Sequence, residues 1–200
     1  MAAGELRRQP ILEAMIRVAG SKGYRATSVA DVVADAHASR ATFYKYFDDK
    51  RDCFLAAYEL AVERILAAAQ AACDPMRPWQ ERARSGLAAG VDLCARHPTL
   101  AGVAVVEVAA AGDEARRRHW AAIGRFARLL EDGREKALQP PLPPNTALMA
   151  ISGVVGLIFD ELRAGRAAEL PHLLPDLEFA LLVPFVGPRA AAKEMSRGAA

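Results

Sequence analysis

The chain is short of cysteine, of aromatic residues and of net charge, and each shortage narrows what it is built for. Its three cysteines, Cys53, Cys73 and Cys94, form no CxxC pair and no framework. An odd, scattered set suits a reduced compartment and argues against a disulfide-stapled fold. No clean run of eighteen apolar residues is present, so no membrane span is expected. The N-terminus is charged and carries Pro10 without an apolar stretch, so no secretory leader is expected and a cytoplasmic location is. The formal net charge is only +2, and residues 1–52 hold 9 Lys and Arg against 7 Asp and Glu. Average charge therefore does not point to nucleic acid, although phosphates are met by a few placed donors rather than by the average. HExxH, a Walker loop and GxSxG are all missing, and His37, His97, His119 and His172 show no metal-ligand spacing. The chain is expected not to be an enzyme and to need no cofactor or metal.

What is present is apolar and helical. Half of the 200 residues are hydrophobic, enough for a real core in one large domain or two small ones. Alanine is abundant and strand patterns are scarce, so an all-α fold is expected. The stretch Thr27 to Lys50, TSVADVVADAHASRATFYKYFDDK, organises the rest. Ser28 predicts a helix cap with Asp31 as the capping-box acid. Val29, Val32, Val33 and Ala36 then repeat with helical spacing. His37 and Ala38 break the pattern. Ser39 predicts a second cap, and Phe43 and Phe47 lie four apart on the buried side of the helix that follows. Arg40, Ala41, Thr42, Tyr44, Lys45 and Tyr46 share its exposed and flanking faces. Two phenols, a threonine and two cations on one short helix suit a phosphate-lined groove.

Ser28, Val29, Ala34, Ala36, Ser39, Thr42, Phe43, Tyr44, Tyr46, Phe47 and Lys50 together resemble the DNA-binding region of the TetR family of bacterial transcriptional regulators. With the helix before it, the resemblance covers roughly residues 8 to 55. It departs from the family pattern at His37, where the family usually has a turn glycine, and at Tyr46, where it often has histidine. It implies an N-terminal three-helix helix-turn-helix domain over 8–52, joined through helix 49–72 to a C-terminal effector-binding and dimerisation domain over 53–187. It further implies a homodimer on a palindromic duplex operator, most often a repressor that a small-molecule effector releases. The alternative is a helical protein-interaction module that keeps the fold but not DNA binding.

Along the chain, residues 1 to 8 read as a mobile arm, with Arg7 and Arg8 either reaching DNA or solvated. Pro10 reads as a first helical position. Ile11, Leu12, Met15, Ile16 and Ala19 form the apolar face of a helix that Gly23 ends. Asp49 can cap the long helix to about Ala72, which carries Phe54, Leu55, Tyr58, Val62, Ile65 and Leu66. Cys73-Asp74-Pro75 breaks the chain, and a helix resumes from Trp79 to His97. Residues 99–111, TLAGVAVVEVAAA, predict a buried helix. Glu107 within it must lie at an edge, find a partner, or await a cationic ligand. Residues 114–137 are helical, and the four prolines of 138–145 form a stiff connector. Thr146–Arg163 is the most apolar long helix. A turn over Leu170–Pro175 leads to a last helix, Asp176–Val186, and residues 188–200 read as a disordered tail.

Candidate site residues follow. Arg40 is the foremost base reader, since a guanidinium matches the two acceptors of guanine. Ala41 and Thr42 suit a thymine methyl, and Tyr44 a base edge or a phosphate. Ser39 and Lys45 complete that helix. The resemblance implies phosphate contacts for Tyr46, Lys50, and Thr27 or Ser28. It also implies an effector pocket, for which Leu100, Val103, Glu107, Trp120, Ile123 and Phe126 are candidates, with Met149, Ser152 and Phe159 beyond the proline stretch. It implies subunit pairing through the last two helices, here Ile151, Val155, Ile158 and Leu162 with Phe179, Leu182 and Val183.

Overall fold

A computed structural model of the chain describes residues 3–131, 133 and 142–198. The described residues are helical with turns, and no strand occurs among them. They group into two compact units, one running through Arg64 with His97–His119 added, the other formed by Ile65–Arg96 and the chain from Trp120 onward. The stretch 8–52 lies within the first unit, which also holds the first two-thirds of the long helix and a segment from the middle of the chain. Half of the predicted proline connector, residues 138–141, lies outside the described residues, as does most of 132–137.

In the first unit, α1 (Ala3–Lys22) buries Ile11, Leu12, Met15, Ile16 and Ala19. The expected arm is therefore helix from Ala3, and Pro10 sits inside α1 rather than at its start. An interior proline costs a helix about 3 kcal/mol. Here the N-terminal turns have an anchor, because the Arg8 guanidinium lies over the Phe47 ring, 5.2 Å from its centroid. Gly23, at φ +88°, ends α1 in a conformation that side chains resist. Then come α2 (Val29–Asp35), α3 (Arg40–Tyr46) and α4 (Lys50–Ala71). Asp49 caps α4, its Oδ1 accepting the Asp52 N–H at 2.8 Å. Cys53, Phe54, Ala57, Tyr58 and Ala61 of α4 are fully buried. Burial pushes the Cys53 thiol up to about 12, so it stays protonated at neutral pH and serves as a small apolar side chain. Arg64 of α4 pairs with Glu13 of α1 and ties the two helices.

The segment 97–119 completes this unit. Pro98 opens α6 (Pro98–Ala101), which passes into a π-helical turn over Gly102–Val106 and a 3-10 turn over Glu107–Ala111. The segment is mostly buried, as its composition predicts, but it changes helical pitch twice. α6 packs directly on α1. A Cβ on Gly20 would come within 2.2 Å of the Thr99 carbonyl oxygen, so the two backbones touch where a side chain has no room. His119, in α7 (Asp113–Ala127), shares a hydrogen bond with the Ala104 backbone of the π-turn.

The second unit holds the last turns of α4, then α5 (Trp79–Arg96), the later part of α7 with a 3-10 turn over Arg128–Leu130, and α8 (Thr146–Arg163). A 3-10 stretch over Ala167–Leu173 replaces the expected turn, and α9 (Leu174–Val186) starts two residues early because Pro175 fits its first turn. Trp79 meets Phe185 edge-on, 5.5 Å between ring centroids. Arg84 and Glu178 form a largely buried ion pair at 3.0 Å. The tail read as disordered is corrected through residue 198: α10 (Pro188–Gly198) follows a break at Gly187, φ +78°, and buries Ala191 completely. Proline at the helix start and the alanines after it favour that helix locally.

Burial lowers the pKa of His119, and its hydrogen bond to Ala104 only partly opposes this. The folded ring therefore stays neutral where the unfolded one, at about 6.5, binds a proton. Stability should fall as the pH drops below about 6.5, because the unfolded chain then binds the extra proton, and should level off once the folded ring also charges. Urea unfolding between pH 8 and 5 will show this slope, and H119Q should flatten it.

Candidate DNA-binding surface

The reading surface is built from local signals. Ser28 caps α2 with a full capping box: its hydroxyl accepts the Asp31 N–H, and the Asp31 carboxylate accepts the Ser28 N–H at 2.7 Å. Lys22 pairs with Asp31 at 2.6 Å. That ammonium first, then Ser28, holds the Asp31 carboxyl well below the usual carboxylate range. Arg17 reaches Asp35 at the other end of α2, so α2 is tied to α1 at both ends.

Between α2 and α3 the chain turns through His37 at φ +50°, the one non-glycine residue with positive φ among those described. A histidine there accepts a strain that glycine would not. Its amide still bonds to the Ala34 carbonyl, and the Ala38 amide to Val33, so the turn keeps its hydrogen bonds. Ser39 then caps α3, its Oγ accepting the Thr42 N–H at 3.0 Å. Phe43 and Phe47 point inward at 0 % and 2 % exposure, with ring centroids 5.5 Å apart. Burying that pair turns Arg40, Ala41, Tyr44 and Lys45 outward, with Thr42 and Tyr46 at the flanks. Among the described residues no carboxylate holds Arg40 or Lys45. The arrangement offers a guanidinium, an ammonium, a phenol and a methyl on one exposed helix face, the set that a major groove reads.

Three expected phosphate contacts are placed differently. Thr27 is buried at 3 % exposure and its hydroxyl donates to the Gly23 carbonyl at 2.8 Å, so it holds the α1–α2 turn and offers nothing to DNA. Ser28 is exposed, but its hydroxyl donates to Asp31 at 2.5 Å. The Lys50 ammonium donates to the carbonyls of Tyr24 and Thr27 at 3.0 and 2.8 Å and lies 4.3 Å from the Tyr24 ring centroid. Two of its three protons close the α1–α2 turn.

The candidate effector residues do not gather into one unit. Leu100, Val103 and Glu107 belong to the first; Trp120, Ile123, Phe126, Met149, Ser152 and Phe159 to the second. Leu100, Val103 and Ile123 are buried, whereas Trp120 and Met149 are 58 % and 61 % exposed and line no interior. The Ser152 hydroxyl is used on the Leu148 carbonyl of its own helix, and the Phe159 ring lies under Arg163. Glu107 awaits no cation: its Oε2 accepts the Tyr24 N–H at 2.6 Å. The subunit residues are also corrected in part. Leu182 is fully buried and Ile158 nearly so, because these sides of α9 and α8 face inward. The outer face of α8 carries Met149, Gly153, Gly156 and Leu157 instead.

A short capped helix of outward cations and phenols, set behind a second capped helix and a tight turn, defines a helix-turn-helix DNA-binding protein. Residues 11–57 match the family described as bacterial regulatory proteins, tetR family, a stretch that takes in the whole of α2, the turn and α3. An HTH-type transcriptional regulator of Bacillus subtilis (strain 168), YhgD, is 24% identical over 159 residues, which span 77% of this chain and 83% of that protein. The fatty acid degradation regulator FadR of Bacillus halodurans shares the fold with a TM-score of 0.76 at 18% identity, over 88% of this chain and 94% of that one. FadR of Bacillus subtilis, solved with stearoyl-CoA, does so with a TM-score of 0.75 at 17% identity, over 90% and 98%.

If the turn carries strain at His37, removing the side chain relieves it. H37G should raise stability by about 1 kcal/mol in denaturant unfolding, where a glycine inside a helix would lower it.

Proposed function

We propose that the chain is a repressor that binds a palindromic duplex operator as a homodimer and leaves it when a small apolar molecule binds. The observation that carries this reading is α3, with Phe43 and Phe47 buried behind it and Arg40, Ala41, Tyr44 and Lys45 exposed in front. Arg40 reads a guanine, Ala41 and Thr42 flank a thymine methyl, and Tyr44, Lys45 and Tyr46 meet the backbone or a base edge. Operator DNA as partner places the protein in the cytoplasm.

Pairing is supported by the outer face of α8. Met149 and Leu157 are exposed there, and apart from the backbone of α8 itself nothing stands within 4 Å of where a Cβ on Gly153 or Gly156 would be. A second helix can approach such a face closely, and a two-fold dimer meets half-sites one helical turn or a multiple apart. The effector reading draws on the stearoyl-CoA bound to the Bacillus subtilis regulator and on the buried apolar side chains of Leu100 and Val103 here. A long acyl chain, as a thioester or free acid, is the effector class we assign. Release is a two-state linkage in which the effector favours a form whose heads no longer match successive grooves.

Selection of bound duplexes from a random pool should return a palindrome. R40A should cost about 1–3 kcal/mol on that palindrome and relax the choice at one base pair of each half-site. K45A should weaken all duplexes alike and reduce the salt slope by about one. A pool that yields no enriched duplex overturns the reading. For pairing, L157E should shift the protein from dimer to monomer in sedimentation, and an unchanged dimer would place the subunit contact elsewhere.

A further inference from the structure

The α1–α2 turn is gripped from two sides. From within the reading head, Lys50 donates to the carbonyls of Tyr24 and Thr27. From a segment more than eighty residues downstream, Glu107 accepts the Tyr24 N–H at 2.6 Å, with Gly23 beside it. A Cβ at Gly23 would stand 3.4 Å from that carboxylate oxygen. The grip is backed by a close crossing one helical turn away, where Gly20 of α1 meets Thr99 of α6 with no room for a side chain. The Tyr24 ring in turn packs against Phe54 of α4, tilted, with 4.5 Å between centroids, so whatever fixes Tyr24 bears on the junction of α1, α2 and α4.

The segment that carries Glu107 is irregular. Five residues of π-helix, Gly102–Val106, lead straight into the 3-10 turn that begins at Glu107. π-turns inside helices mark places where one more residue than an α-turn needs has been accommodated, and they are frequent at functional sites. Conversion of such a turn to α-helix rotates and draws back the residue that follows it. Leu100 and Val103, two of the buried apolar candidates for effector contact, lie within two turns of Glu107 on the same segment.

We propose that Glu107 is a positioning residue for the DNA-reading head: its bond to the Tyr24 amide latches the α1–α2 turn to the 98–111 segment, and loss of that latch is how a change in the segment lowers operator affinity. This rests on the regulator reading above. Glu107 touches no DNA. It holds α2 and α3 in the orientation that Phe43 and Phe47 then transmit to Arg40.

The test uses the full-length protein without effector. E107A should bind the selected operator at least tenfold more weakly than wild type while its binding to random duplex changes less than twofold. E107Q, which keeps an acceptor oxygen, should recover most of the loss. Amide hydrogen exchange at Tyr24 should quicken in E107A and stay slow in E107Q. G20A, whose Cβ has no space against Thr99, should copy E107A, whereas G102A, whose Cβ would sit 3.6 Å from the Gly20 oxygen, should not. Operator affinity in E107A within twofold of wild type overturns the latch, and so does an equal loss on operator and random duplex. Should wild type itself enrich no operator, the regulator reading falls, and Tyr24 exchange in wild type against E107A still decides whether the latch exists.

Discussion

Burial of Phe43 and Phe47 is the constraint on which the DNA-facing half of the protein depends. α3 has seven residues, and isolated helices below about 12–15 residues are marginal in water. Its Ser39 cap contributes about 1 kcal/mol. Each buried phenylalanine contributes about 1.5–3 kcal/mol, so the ring pair outweighs the cap and decides whether α3 is folded at all. The pair also decides its rotation. Two rings one turn apart can both be buried in only one setting of the helix about its axis, and that setting leaves Arg40, Ala41, Tyr44 and Lys45 outward. Arg8 lies over Phe47 and ties the part of α1 that precedes Pro10 to this packing.

What could be read from the residues alone was local. Ser28 with Asp31, Ser39 with Thr42, and the Val and Phe spacings announce their helices because cap and stripe lie within four residues of each other. Fold class and the face of α3 follow from such signals. Contacts between distant residues left no comparable mark. Lys50 reads as a free cation until Tyr24 and Thr27 are brought to it from 26 and 23 residues upstream. Thr27 reads as a surface hydroxyl, yet it is buried because Gly23 supplies an acceptor. Gly20 carries no motif; only the approach of Thr99 shows why a side chain is excluded. Glu107 stood out as the lone carboxylate in an apolar run, but its partner is a backbone amide, which no residue type announces.

The C-terminal helices were legible as helices and illegible as faces. α8 is apolar around most of its circumference, so periodicity cannot say which side is core. The structure turns Val154 and Ile158 inward and Met149, Gly153, Gly156 and Leu157 outward. α9 has the same ambiguity, and Leu182 falls on its inner side. In both helices the apolar residue types leave the angle about the axis open.

A single hydrogen bond is enough to carry regulation of the expected size. Coupling between an effector and DNA is commonly about 1–3 kcal/mol. A hydrogen bond to a charged group is worth about 1.5–3 kcal/mol, and a buried amide left without its acceptor adds a desolvation cost. The Glu107–Tyr24 bond therefore matches the whole coupling without any rebuilding of the core. The backbone contact of Gly20 with Thr99 has a different task. In the proposed latch it serves the 98–111 segment as a stiff fulcrum on α1, so that a small change of pitch in the π-turn moves Glu107 rather than being absorbed along the helix. A soft crossing with side chains between the helices would let the two drift together, and the amide bond would survive the change meant to break it.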